Sequence, residues 1–201
     1  MSAPAKLRLP AEERRQDILE TASRVFSKSS YRGATTAEIA REAGITEPIL
    51  YRHFGSKREL YLACLDAAWA TLRAVAEQAV SENPSSCLGA VNDAIGATKA
   101  RVKLIDLWIQ GLGESDDEVI AGALRGQIRE VHDFVAGIIS DGQELGVVNA
   151  DRDPVAEAWI YVSGGFLATF DQRLGGLVGR DFDRVRSERR RWMRGDAAPV
   201  S

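Results

Sequence analysis

Apolar residues return every three or four positions along most of this chain. From Pro10, which can open a helix at its first position, Ile18, Ala22, Val25 and Phe26 form one stripe that predicts a helix through about residue 29. Thr35 and Glu38 then make a capping-box pair with Ile39 and Ala40 facing inward. A second helix should therefore run to Ala43 and stop at Gly44, a residue suited to the left-handed position. Thr46 can cap a third helix in which Pro48 is tolerated because it lies in the first turn, with Leu50, Tyr51 and Phe54 on its inner face or edge. Two short helical patterns separated by one glycine, with a third at once behind them, are how a helix-turn-helix is written.

Ser56 and Glu59 make another capping box, and Leu60, Cys64, Leu65, Ala68, Trp69, Leu72, Ala76 and Ala79 mark a long fourth helix over residues 57 to 80. It joins the two parts of the chain without a flexible linker. Asn83-Pro84-Ser85-Ser86 breaks the pattern, and short helices are expected over 86 to 98 and 101 to 113. Ser115 with Glu118 should open a helix reaching Leu145 before Gly146, and Asp153-Pro154 starts another as far as Gly175, carrying Trp159, Val162, Phe166 and Phe170. A last helix is expected over 182 to 194. No segment alternates with period two between hairpin turns, so the fold class is all-α. Glycines 122 and 126 fall four apart on one predicted helix face, which suggests close helix packing there, with room for a ligand as the other reading.

Composition adds one asymmetry. The formal charge of −3 conceals a head, residues 1 to 60, with 11 Lys and Arg against 8 Asp and Glu, followed by a remainder with 15 against 21. A basic head on an acidic body fits a polyanion partner at one end. No apolar stretch approaches the roughly 18 residues that span a bilayer, and the N-terminus has no apolar secretory segment, so no membrane contact and a cytoplasmic location are expected. Cys64 and Cys87 stand in no metal or redox spacing and read as small buried hydrophobes, with a redox-sensing role as the minor alternative. No metal and no cofactor are expected.

The helix-turn-helix carries the candidate chemistry. A recognition helix sets its N-terminal turns against base edges while neighbouring groups grip phosphates. Thr36 and Thr46 can donate from their hydroxyls, Tyr51 and His53 lie on the outer part of the third helix, and Lys57 stands beside the positive end of the fourth. Lys6, Arg8, Arg14 and Arg15 can form an arm along the adjacent groove.

Ile18 with Ala22 to Phe26, Thr36, Ile39-Ala40, Ala43-Gly44-Ile45-Thr46, Leu50-Tyr51-Arg52-His53-Phe54, Ser56-Lys57 and Leu60 occur in an order that resembles the DNA-binding region of the TetR family of bacterial transcriptional repressors. The resemblance covers residues 11 to 60; beyond them it extends only to length and helix order. It implies a three-helix head joined by a long connecting helix to a helical regulatory and dimerisation domain. The expected organisation is a DNA-binding domain over 1–56, an effector-binding and dimerisation domain over 57–195, and a disordered tail over 196–201. In the family, positions matching Tyr51 and His53 contact phosphates. Two departures matter. Ser30 stands where the family commonly has glycine, so Gly33 could take the strain of that turn. Pro48 and Ile49 stand where glycine and a small residue are common, so Ile49 could touch a thymine methyl and Glu47 or Arg52 could contribute to base readout.

The resemblance further implies a homodimer built from the last two long helices, with Val162, Gly165, Phe166 and Thr169 as a stripe against a partner, although the same stripe would serve an intrachain core equally well. It also implies a ligand cavity, for which Trp69, Trp108, Phe134, Trp159 and Phe170 are the candidate walls. The function expected is a ligand-responsive regulator, a repressor that binds a palindromic double-stranded DNA operator as a dimer and is released by a small-molecule effector. The alternative is a helical small-molecule binding protein without sequence-specific DNA binding, which salt-dependent, sequence-selective DNA retention would exclude. An enzyme is not expected, since there is no Gly-rich phosphate loop, nucleophile elbow or metal-ligand cluster. The arginines 184, 186, 189, 190, 191 and 194 invite a second nucleic-acid reading, but a solvated helix face pairing with the acidic body is the preferred one.

Overall fold

A computed structural model describes the backbone of residues 10–84 and 87–194. Lys6, Arg8, the tail over 196–201 and the side chain of Cys87 lie outside the described residues. In chain order the helices are α1 (Ala11–Lys28), α2 (Thr36–Glu42), α3 (Glu47–His53), α4 (Lys57–Glu82), α5 (Cys87–Ala97), α6 (Ala100–Leu112), α7 (Glu118–Glu144), α8 (Pro154–Arg173) and α9 (Asp181–Arg194). There is no strand among the described residues, and the fold is all-α as the periodicity requires. No described helix is long and apolar enough to cross a membrane.

Residues pack into two compact units, each built from separate stretches of chain. The first comprises residues up to Ala67 together with Leu107–Ala121. Its core is the stripe that the sequence writes: Ile18, Phe26, Ile39, Leu50, Phe54 and Leu60 are all essentially inaccessible to solvent. Burying each such side chain stabilises by about 1.5–3 kcal/mol relative to leaving it in water. Phe26, Tyr31 and Tyr61 form an aromatic cluster in which Tyr61 meets both others edge-on, at centroid distances of 5.1 and 5.0 Å. The buried Tyr61 hydroxyl donates to the Leu107 carbonyl, so α4 and α6 are tied by a polar contact inside the core. Burial raises the Tyr61 pKa far above the ordinary tyrosine value. Cys64 is buried beside this cluster, as a small hydrophobe should be.

The second unit comprises Ala68–Asp106 and the chain from Gly122 onward. Trp69, Leu72, Ala76 and Ala79 continue the buried stripe of α4, and Trp69 meets Phe134 of α7 edge-on at 5.5 Å. Val135, Ile139, Val148, Ala158 and Met193 bring α7, α8 and α9 into one apolar cluster. Glu157 is buried among them and is held by the Trp192 indole N–H at 2.9 Å and by Arg189 at 3.6 Å. A buried carboxylate left without such partners would cost several kcal/mol, so α8 and α9 are locked in register here.

Several local expectations change. The N-terminus of α7 is capped by Asp117 in place of Ser115: its Oδ1 accepts from the Val119 and Ile120 backbone N–H groups at 3.0 and 3.2 Å. Asp117 sits one residue before the helix, where its short carboxylate reaches the orphan donors. Close packing at Gly122 and Gly126 is also overturned, because a Cβ at either position would meet nothing within 4 Å. The turn after α1 is closed by Ser30, whose Oγ accepts from the Gly33 N–H at 3.0 Å, and Gly33 is not in the left-handed region. By contrast, Gly44 and Gly146 adopt φ of 67° and 70° at helix ends, which is the role that ends a helix on glycine.

Candidate nucleic-acid interface

The α2-turn-α3 element is fixed by backbone and core before any polar side chain acts. Thr35 caps α2 by accepting from the Glu38 N–H at 3.1 Å, and Gly44 turns the chain so that the Ile45 N–H reaches the Ala40 carbonyl at 2.9 Å. Ile39, Ala40 and Leu50 face inward, and Phe54 plugs the end of α3 beneath the Arg15 guanidinium, 4.3 Å above its ring. Arg15 is thus spent on the core surface and Arg14 lies 3.9 Å from Asp17, so the described part of the basic arm is engaged within the head. Thr46 has the extended backbone of an N-cap but its side chain makes no cap bond, leaving the hydroxyl exposed and free to donate elsewhere.

With that frame rigid, α3 offers Thr46, Pro48, Ile49, Tyr51 and Arg52 on its exposed side, while Glu47 and His53 are half-buried. A polar chain links this side to α2. Thr36 Oγ1 donates to Glu47 Oε1 at 2.6 Å and lies 3.1 Å from the Tyr51 hydroxyl. A hydroxyl carries one proton, so when Thr36 gives its own to the carboxylate, Tyr51 must be the donor to Thr36. The Thr36 proton is therefore directed to Glu47 and the Tyr51 proton to Thr36. Sequence reasoning placed all three residues at the interface but did not see that they are bonded to one another, because the pairing crosses from α2 to α3.

Lys57 opens α4 over the Tyr31 ring, 4.6 Å from its centroid, with Nζ 3.5 Å from the Arg32 carbonyl. Burial lowers its pKa from the ordinary lysine value, against the opposing pull of Glu114. Ser56 caps this helix by accepting from the Glu59 N–H, and Glu59 in turn accepts from the Gly55 N–H at 2.9 Å. A Cβ at Gly55 would fall 2.9 Å from that Glu59 oxygen, so glycine gives the carboxylate room to reach back. Two long-range anchors of the head were not visible in the sequence: Arg32 pairs with Glu114 at 3.0 Å and Arg58 with Asp117 at 3.1 Å, across separations of 82 and 59 residues.

The description "Bacterial regulatory proteins, tetR family" matches residues 18–64, which span most of α1 through the start of α4. The chain is 38% identical over 176 residues to the probable HTH-type transcriptional regulator ArpR of Pseudomonas putida, covering 85% of this chain and 80% of that protein. This chain belongs to the TetR family. Its head is also 53% identical over 58 residues to the HTH-type transcriptional activator FasR of Mycolicibacterium smegmatis, a match covering 29% of this chain and 26% of that protein. In fold it is similar to the regulatory protein TetR from Rhodobacter sphaeroides, with a TM-score of 0.72 at 20% identity over 89% of this chain and 97% of the other.

In the second unit of this TetR-family chain the sequence-based candidates scatter. Trp69 is buried and Phe134 packs against it, Trp159 is exposed and stacked on the His132 ring at 4.3 Å, and Phe170 is exposed. Trp108 is buried within the stretch that belongs to the first unit. The cavity of the second unit described below is lined by none of these five aromatics. The stripe expected to meet a partner also turns inward in part. Val162 and Thr169 are buried within the chain, and a Cβ on Gly165 would stand 3.1 Å from Ile105 of α6; Phe166 is half-buried. The face of α8 left open carries Val155, Trp159, Ile160 and Phe170, each between 44% and 54% exposed.

Proposed function

We propose that this TetR-family chain is a ligand-responsive repressor that binds a palindromic operator as a homodimer and leaves it when a small-molecule effector binds the helical body. The observation that carries the DNA-binding part is the exposed side of α3, with Thr46, Pro48, Ile49 and Arg52 open to solvent on a head whose core side chains are inaccessible. Ile49, 36% exposed, suits a thymine methyl, and Arg52 suits a guanine edge or a phosphate. Thr36, Tyr51, His53 and Lys57 supply backbone grip, and Glu47 sets the direction of the hydroxyl protons. The relative FasR bears the name of an activator, so the sign of regulation is to be read in a reporter assay: repression is expected, and activation by the chain would overturn that part alone.

Support for dimerisation comes from the exposed apolar side chains of α8 and the loop after it, Trp159, Ile160, Phe170, Leu174 and Leu177. A two-fold dimer would set its recognition helices about 34 Å apart, one turn of B-DNA. An effector that binds one state of the dimer better shifts the population by no more than its differential affinity.

DNA selected from a random pool by the full chain, followed by retention at graded salt, tests the reading. A palindromic consensus is expected, and replacing Lys57 by Ala should lower the slope of log affinity against log salt by about 0.9. Absence of any enriched sequence would leave the helical small-molecule binder as the better account.

A further inference from the structure

In the second unit a cavity of about 600 Å³ opens among the end of α4, α5, α6, α8 and α9. That is the size of small-molecule sites in general. Part of its wall is apolar, supplied by Ala79, Ala90, Val147, Leu167, Phe182 and Met193. The rest is unusually basic. Arg101 of α6 and Arg186, Arg189, Arg190 and Arg194 of α9 line it, against the carboxylates of Glu82 and Asp93.

The arginines differ in how they are compensated. Arg189 lies 3.6 Å from Glu157, and Arg190 lies 3.7 Å from Asp93. Among the described residues no carboxylate comes within 4.0 Å of Arg101 or Arg186. Arg101 Nε is buried and has no hydrogen-bond partner. Burial lowers the Arg101 pKa from its ordinary value, and the like charge of Arg186 adds to this while Tyr161 opposes it. Burial likewise raises Tyr161, while Arg101, Arg189 and Arg186 pull it back, so the four groups share one electrostatic neighbourhood. A solvated helix face accounts for Arg184 and Arg191, which pair with Asp181 and Glu188 on their own helix. It does not account for Arg101, which comes from another helix and keeps a buried donor unused.

A half-buried guanidinium without a counter-charge is costly, and an anion that accepts its N–H groups in the plane of the fork removes that cost. We propose that this cavity binds an anionic amphiphile, a small molecule whose carboxylate or phosphate head sits between Arg101 and Arg186 while its apolar body lies along Val147, Leu167 and Met193. The proposal deepens the effector reading, and its regulatory meaning rests on that reading; the binding itself does not.

Calorimetric titration of the full chain without DNA tests it, using octanoate, octyl phosphate, 1-octanol and octylamine as probes of one tail length. One or both anions should bind at least tenfold more tightly than the alcohol, with an affinity that falls as salt is raised, and the amine should not compete. The ratio of octanoate to octyl phosphate affinity distinguishes the two head groups. Arg101→Gln and Arg186→Gln should each weaken anion binding by roughly tenfold. Arg186 is exposed on α9, so its variant should melt as the wild type does and keeps the test readable if Arg101→Gln unfolds. Equal affinity for octanol and both anions, or unchanged anion affinity in Arg186→Gln, overturns the proposal. Anion binding that leaves selected DNA still bound supports the site and counts against the effector reading only.

Discussion

Replacing Glu47 by Gln should strengthen binding to DNA of random sequence. The amide oxygen can still accept from Thr36, so the link between α2 and α3 is preserved and only the charge is lost. Thr36 Oγ1 stands 2.6 Å from the Glu47 carboxylate, and a phosphate oxygen accepting from that hydroxyl would lie a further 2.7 Å or so away, hence about 5 Å from the carboxylate. Two unit charges at about 5 Å in water repel by about 0.8 kcal/mol, which is about fourfold in affinity. At 0.15 M salt, with a screening length of about 8 Å, the gain should shrink to about twofold. Fluorescence anisotropy on a labelled random-sequence duplex at two salt concentrations reads both numbers. Random sequence matters because Glu47 on an operator could also accept from a cytosine amine, and that contact would be lost. Unchanged or weaker binding to random DNA would refute the claim that the Glu47 charge opposes a phosphate held by Thr36.

Three further outcomes follow. Tyr61→Phe leaves the Leu107 carbonyl unpaired in the core, and should lower stability by about 1–3 kcal/mol, seen as a drop of several degrees in a thermal melt. The Asp117 carboxyl is held below its ordinary value although desolvation works the other way, because the Ile120 and Val119 N–H groups and Arg58 favour its charged form. A depressed carboxylate pKa gives stability that is complete above the unfolded value, about 3.9, and is lost as pH falls through the folded one. Asp117→Asn should therefore flatten the loss of stability in that acid window, measured by denaturation at stepped pH. Ile160→Glu combined with Phe170→Glu should convert a dimer to a monomer in sedimentation velocity without a comparable change in helix content; a persisting dimer would place the interface elsewhere.

The helices were legible because each amphipathic stripe depends only on residues three and four apart, and Leu60, Cys64, Leu65, Ala68, Trp69, Leu72, Ala76 and Ala79 are buried as their spacing demands. The glycine turn was legible for the same local reason. Partners at long separation were not: nothing near Arg32 in sequence points to Glu114, and nothing near Thr36 says that its proton goes to Glu47. Ser115 fits a capping-box pattern, but α7 begins at Glu118, so the cap position falls to Asp117. Val162 and Thr169 were indistinguishable by period from Trp159 and Phe170, since a helix packed on one side and open on the other can carry apolar residues on both. Aromatic residues drew attention to the body of the chain, whereas a cavity in its second unit is lined by arginines that come together from α6 and α9 only after folding.

The stretch Leu107–Ala121 belongs with the head, held there by the Tyr61, Arg32 and Arg58 contacts, although the whole of Ala68–Asp106 separates it from the end of the first segment in the chain. During synthesis the helix-turn-helix can form early, but its last layer arrives only after Ala121 has left the ribosome, so the nascent head waits with Tyr61 uncapped. A chimera joined at the start of α4 would inherit that dependence. Exchanging heads between relatives should work only when the segment around Glu114 and Asp117 travels with them, which makes the reader of DNA a discontinuous cassette.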